Sequence, residues 1–337
     1  MDMDIFSQRA FHQVEMVDAL DRVPYTPQFL GQLNVFEARP IRTTTAYFEE
    51  RDGVISLIQT SPRGAPLEQQ AKNKPRMRPI INDRRLAKSD RLTADEIQGI
   101  RPFGGQSELM TMQQEVAGRW ATLMGDLELT REYHRLGAIQ GKLLDADGSE
   151  LYDWFDFWGI SQPAEINFAL TTDATNVRTK CHDVVRKMQR AAKGSWTPAT
   201  QAHALCGDEF FDALIDHPEV RDSYKNWVAA ETLRENLAFR SFFYGGIMFW
   251  NYRGTDDEST IGIGTAKCQF FPVNAPKVFQ MVLSPGETFD FVNTPGRPVY
   301  PMIIPDRDRN AWVDIEIYSY PLHICTRPHM LLRAKKA

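Results

Sequence analysis

The sequence predicts an α+β fold, on three observations. Amphipathic helical periodicity dominates the chain before about Phe239, short alternating strands dominate after it, and no regular βαβ alternation joins the two regimes. With 42% hydrophobic and 25% charged residues among 337, the chain has the composition of a folded protein with an ample core. Its length suggests roughly two domains. A formal charge of -5 argues against a protein whose main task is gripping a phosphate backbone, which needs clustered Lys and Arg. Cys181, Cys206, Cys268 and Cys325 follow no repeated spacing, and the start MDMDIFSQRA is acidic. Reduced thiols, a cytosolic setting and no secretory leader are the expectation. No apolar run approaches the roughly 20 residues that span a bilayer.

Taken in order, residues 7–21 fit a short amphipathic helix capped by Ser7, with Phe11, Val14, Val17 and Leu20 on one stripe. VPYTPQFLGQLNVF, with two prolines and a glycine, suits an extended arm. FEERDGVISLIQTSPRGAP then reads as two strands about an Arg51-Asp52-Gly53 turn, where glycine supplies the positive φ. One face of that hairpin is apolar, with no evident partner nearby. From Ser61 to Arg91 nine basic residues stand against three acidic ones, a local +6 in an acidic chain. Prolines 62, 66, 75 and 79 rule out a helix there and disfavour a central strand. A solvated loop and a docking surface for an acidic neighbour both fit this charge. A specific nucleic-acid site fits less well, because no aromatics interleave.

Leu109, Met112, Val116, Trp120, Leu123 and Leu127 recur every three or four residues behind a capping Ser107, predicting a long helix. Gly118 and Gly125 inside it predict a bend or a close neighbour. A second helical piece follows over about 130–139, then a hairpin turning on Asp145-Ala146-Asp147-Gly148. From Thr175 another helix offers Val177, Cys181, Val184, Val185 and Met188 as its buried stripe, stopping at Gly194. Helices over 208–215 and from Pro218 precede the strands IMFWNYRG, CQFFPVN, KVFQMVLS, ETFDFVNTPG and WVDIEIYSYPLHIC.

Enzymatic motifs are weak. IGIGT at 261–265 lacks the third glycine and the downstream acid of a dinucleotide site. Asp145 to Gly148 begins like a calcium loop but has its glycine two positions early and no closing Glu. His203 with Cys206, and Cys325 with His329, have loose spacing for zinc. Asp153 and Asp156 are not singled out among 44 acidic residues for acid–base work. No catalytic residue, metal ligand or cofactor is assigned.

RGAP (63–66), GIRPFG (99–104), GAIQGKLLDADG (137–148) and YDWFDFWGI, in that order, resemble the lambda-type capsid protein E family of tailed-bacteriophage major capsid proteins. The resemblance spans nearly the whole chain and implies the tailed-phage capsid fold of the Hong Kong ninety-seven type. On it, residues 1–40 are an N-terminal arm, 41–82 an extended E-loop, and 83–194 a P domain with a long spine helix. Residues 195–305 are an axial A domain, and 306–337 the return strand and C-terminus. The implied E-loop contacts between subunits are Arg51, Asp52, Gly53, Arg63, Gly64, Lys72, Lys74, Arg76 and Arg78, with Asp145 to Asp156 as an acidic counterpart. The implied function is structural: hexamers and pentamers closing an icosahedral shell around double-stranded DNA without specific binding, assembled in the host bacterial cytoplasm. Implied partners are the chain itself, a scaffolding protein, a portal and a decoration protein; no membrane is involved. A nanocompartment shell and an uncharacterised cytosolic enzyme remain alternatives at this point.

Overall fold

The computed structural model describes residues 29–50, 76–82, 84–98, 108–221, 223, 241–252, 262–309 and 311–337. The predicted helix over 7–21, the Arg51-Asp52-Gly53 turn and GIRPFG lie outside them. Mixed helices and sheets make an α+β fold, organised around one long helix and a six-stranded sheet.

The long helix α3 (Glu108–Gln140) follows two short helices, α1 (Phe29–Gln32) and α2 (Ala94–Gln98). It runs unbroken through the stretch where two helical pieces were expected. A Cβ on Gly118 or Gly125 would meet nothing within 4 Å, so no neighbour among the described residues packs close there. Val116, Trp120, Leu123 and Leu127 are buried against Leu92, Val299, Ile315 and Ile317. Leu92, Ile315 and Ile317 come from an antiparallel sheet in the order β13 (Tyr300–Pro305), β14 (Trp312–Ser319), β4 (Leu86–Thr93), and Val299 directly precedes β13. β14 alternates as its sequence demands, with Val313, Ile315 and Ile317 buried. β4 lies within the predicted proline-rich loop and takes an edge, where fewer ladder bonds are required of it. Leu109 and Met112 fall on α3, but their side chains lie outside the described residues.

α3 ends in a tight descent into the hairpin β5 (Lys142–Leu144), β6 (Glu150–Asp153). Gly141 has φ +88°, and a Cβ there would sit 2.2 Å from the Phe155 ring; one on Gly137 would sit 2.6 Å from the Lys142 carbonyl oxygen. The glycines of GAIQGKLLDADG are therefore placed by close packing as well as by turns. Asp153 caps the short helix α4 (Trp154–Trp158) by accepting from the amides of Phe155 and Asp156.

A second core lies around the six-stranded sheet, in the order β7 (Ile166–Asn167), β16 (Leu332–Lys335), β11 (Lys267–Val273), β8 (Gln201–Cys206), β10 (Ile247–Asn251), β9 (Ser241–Tyr244). Helices α5 (Val177–Ala191) and α6 (Asp208–Asp216) cover one face, burying Cys181, Val184 and Met188, and Phe210 and Phe211. Leu205, Phe271 and Val273 on the other face join the main core with the end of α3. A third sheet, β1 (Glu37–Pro40), β12 (Phe279–Leu283), β15 (Pro321–Cys325), closes that core. The six-stranded sheet thus recruits residues 166–167 and 332–335 from beyond the expected 195–305 boundaries. ETFDFVNTPG, expected as a strand, is a loop with a 3-10 turn at Phe289–Phe291. Two exposed acids and the Asn-Thr-Pro-Gly run leave it no ladder partner among the described residues.

Candidate assembly surface

Strands β2 (Thr45–Glu50) and β3 (Arg76–Ile81) pair antiparallel into a two-stranded ribbon. Phe48 to Glu50 therefore pairs with Arg76 to Arg78, whereas the predicted hairpin would have brought back residues from Val54 onward. Pro79 is tolerated because both ribbon strands are edges.

The two faces of the ribbon differ. On the inner face Ala46 opposes Ile80 and Phe48 opposes Arg78. Ala46, Phe48 and Ile80 are buried in the main core, with Phe48 edge-on to Trp158 at 6.5 Å between ring centroids. The Arg78 guanidinium lies 5.9 Å from the Phe157 ring and 5.7 Å from Trp158, and donates to the Phe157 carbonyl at 2.5 Å. Tyr152 donates its hydroxyl hydrogen to the Ile81 carbonyl at 2.6 Å. The base of the ribbon is thus fastened to its own chain, while the apolar hairpin face expected over residues 54–60 lies outside the described residues. The outer face pairs Thr45 with Ile81 and Tyr47 with Pro79, and here Tyr47 is 56% and Ile81 55% exposed. Such paired apolar exposure makes this face a candidate contact surface. Beside it opens a groove of about 1160 Å³ lined by Arg39, Phe48, Trp158, Lys277 and Arg327.

Of the predicted contact residues, Arg51, Asp52, Gly53, Arg63, Gly64, Lys72 and Lys74 lie outside the described residues. Arg76 falls on β3 with its side chain outside them, and Arg78 is engaged within the chain. Much of the local positive charge is met internally: Arg85 pairs with Glu287 at 3.2 Å, Lys88 with Asp126 at 2.5 Å and Arg91 with Asp314 at 2.7 Å. The acidic hairpin is used locally too, since Lys142 holds Glu150 and Asp153, each at 2.8 Å. His203 and Cys206 point to opposite faces of β8: His203 Nδ1 accepts from the Trp250 indole at 3.0 Å, while Cys206 meets Cys268.

The last turns of α3 carry a buried charge network that the sequence reading missed. Glu128, Arg131, Glu132 and Arg135 are all under a tenth exposed. Arg131 donates to Glu128, to the Pro298 carbonyl and to Ser319 Oγ, and Arg135 bridges Glu128 at 3.2 Å and Glu132 at 3.3 Å. Glu132 accepts from the backbone amides of Leu30 at 2.7 Å and Gly31 at 3.3 Å, tying the N-terminal segment to the helix. Burial lifts the Glu132 carboxyl above its ordinary range, and these amides and Arg135 oppose the lift. The i, i+3 and i+4 spacing of acids and arginines in ELTREYHR was the legible signal. Nearby, His134 and His323 face each other at 6.0 Å between centroids, with no hydrogen-bond partner on any ring nitrogen among the described residues. Burial pushes His134 down to about 4 and His323 well below its ordinary value.

The mixed helix-and-sheet architecture is shared with solved phage capsid proteins. A prophage protein of E. coli CFT073, described as a capsid protein, superposes with a TM-score of 0.58 at 12% identity, over 96% of this chain and 99% of that one. The mature capsid of bacteriophage PhiM1 gives 0.51 at 12% identity, over 93% and 88%. The fold is that of tailed-phage major capsid proteins, the Hong Kong ninety-seven type. In sequence, the major capsid proteins of Salmonella phage Felix O1 and Pseudomonas phage KPP10 are each 26% identical, the first over 96% of this chain and 95% of its own length, the second over 98% of both. The model for the family described as phage major capsid protein E matches residues 12–336, and the chain belongs to that family. It is a structural protein of the phage capsid, a builder of the icosahedral shell and not an enzyme. The nanocompartment and enzyme readings are thereby set aside.

Proposed function

We propose that copies of this chain close first into hexameric and pentameric rings and then into an icosahedral shell that encloses double-stranded DNA without specific binding. The ribbon and the sequence between its strands act as the E-loop, with residues 1–40 as the arm, 83–194 as the P domain and 195–305 as the A domain. The observation that carries this reading is the two-faced ribbon: its inner face is anchored on Trp158 while Tyr47 and Ile81 are exposed on its outer face. A rigid base that presents an apolar outer face lowers the ordering cost of docking on a sister copy. Each contact is modest, but a ring makes every copy both donor and acceptor of the same heterologous surface. Assembly in the host cytoplasm around a scaffolding protein, joined to a portal, and followed by maturation and a decoration layer, completes the proposal. Replacing residues 55–72 by a short Gly-Ser turn tests it: β2 and β3 are kept, the subunit still folds, and rings are lost. Normal particles from that variant would refute the loop's role.

A further inference from the structure

Resting on the ring-assembly reading, we infer that α5 of one copy docks on α6 of the next copy through matched ion pairs. Both helices lie on the same face of the six-stranded sheet. α5 packs toward the β9–β10 turn, where a Cβ on Gly245 would meet Cys181. α6 begins beside the adjoining ends of β11 and β16, with Phe210 N donating to the Thr265 carbonyl and Glu209 3.5 Å from Lys336.

Their outward charges are opposite. α5 carries Arg178, Lys180, Arg186, Lys187 and Arg190 against Asp183 alone, a net +4, while α6 carries Asp208, Glu209, Asp212 and Asp216 with no base, a net -4. Part of this is explained within the chain. Arg178 lies over the Tyr244 ring, Lys180 donates to the Asn167 carbonyl, Arg186 pairs with Asp183, and Asp208 and Glu209 sit at the favourable N-terminus of α6. Four groups are left over. Lys187 and Arg190, one turn apart on α5, and the carboxylates of Asp212 and Asp216, one turn apart on α6, have no side-chain partner among the described residues. Asp216 stands in the last turn of its helix, where the dipole disfavours an anion, so its position is not accounted for by its own helix.

Two cations and two carboxylates, each pair one helical turn apart, can meet as two parallel ion pairs. A cationic helix alone would fit a phosphate backbone equally well. The acidic helix on the same sheet face repels such a backbone and complements a second copy, so the partner is a sister chain in a head-to-tail contact.

The experiment uses the full chain and its double variants Lys187→Glu/Arg190→Glu and Asp212→Lys/Asp216→Lys, and the quadruple combination. Circular dichroism establishes folding, and sedimentation velocity with negative-stain microscopy reads assembly across salt concentrations. Each double variant folds normally and needs about tenfold more protein to form rings, the scale of two exposed ion pairs lost. The quadruple variant, with charges exchanged, recovers assembly, and salt weakens the unsubstituted chain and the quadruple alike. Doubles that assemble like the unsubstituted chain overturn the inference while leaving ring assembly intact, as does a quadruple that fails although folded. A Lys187→Glu/Arg190→Glu variant that assembles normally but no longer retains a duplex DNA on a filter assigns α5 to nucleic acid and also overturns it. Absence of rings from the unsubstituted chain would instead count against the assembly reading itself.

Discussion

Glu132 is the residue on which the N-terminal segment turns. Two backbone amides, the Tyr252 hydroxyl and Arg135 converge on one buried carboxylate, so removing it leaves buried donors unmet where water does not compensate them. Glu132→Ala is expected to lower the unfolding free energy by about 3–5 kcal/mol, the range for breaking a buried pair, read by denaturant melts. It should also speed protease cleavage ahead of Leu30. The histidines set an acid limit. Burial holds His134 and His203 each at about 4, so the folded state favours the neutral rings. Their contribution is therefore complete above the ordinary imidazole value of about 6.5 and is lost as pH falls from there to about 4. For His134, the gap from 6.5 to about 4 corresponds to about 3 kcal/mol. Stability measured between pH 7.5 and 4.5 should fall accordingly, and His134→Leu should flatten the curve; an unchanged slope would exclude His134 as its source.

At the scale of elements, the ribbon separates folding from contact. Phe48→Ala empties a buried site against Trp158 and should cost the subunit about 3–5 kcal/mol. Tyr47→Ala, on the exposed outer face, should change subunit stability by no more than about 0.5 kcal/mol while weakening ring formation. Thermal melts and sedimentation of the two variants distinguish these outcomes. The elements also show what a sequence discloses. α3 and β14 were legible because one wall of each is buried and the other wet, which imprints a 3.6- or 2-residue period. β8 was not: Ala202 to Cys206 is covered on both faces of a central strand, so QAHALC shows no alternation and carries two alanines of weak strand preference. The β2–β3 pairing was misread because the nearby Arg-Asp-Gly supplies turn chemistry, whereas the true partner lies 25 residues on and is recognisable only from packing on Trp158. The continuity of α3 into 130–139 was hidden for a similar reason: Glu128, Arg131, Glu132 and Arg135 break the apolar stripe in the sequence although the fold buries them in a charge network.

For the whole molecule, fold and surface answer to different demands. Among the described residues, the cores around α3 and the six-stranded sheet are built from one copy's own side chains. What stays open is peripheral: the outer ribbon face, and the oppositely charged helices α5 and α6. A shell needs such division, since contacts strong enough to fold on would also trap misplaced subunits, while weak repeated ones allow correction before closure. Family membership was legible in the order of short motifs along the chain. The contact residues were less so: Arg78 is engaged within its own chain, and most of the other expected contacts lie outside the described residues. The most direct measurement is a cryo-electron microscopy map of particles assembled from the full chain. The account predicts that Tyr47, Ile81 and the loop between β2 and β3 lie against a sister subunit throughout the closed shell. A closed shell in which the outer ribbon face meets only solvent would contradict it.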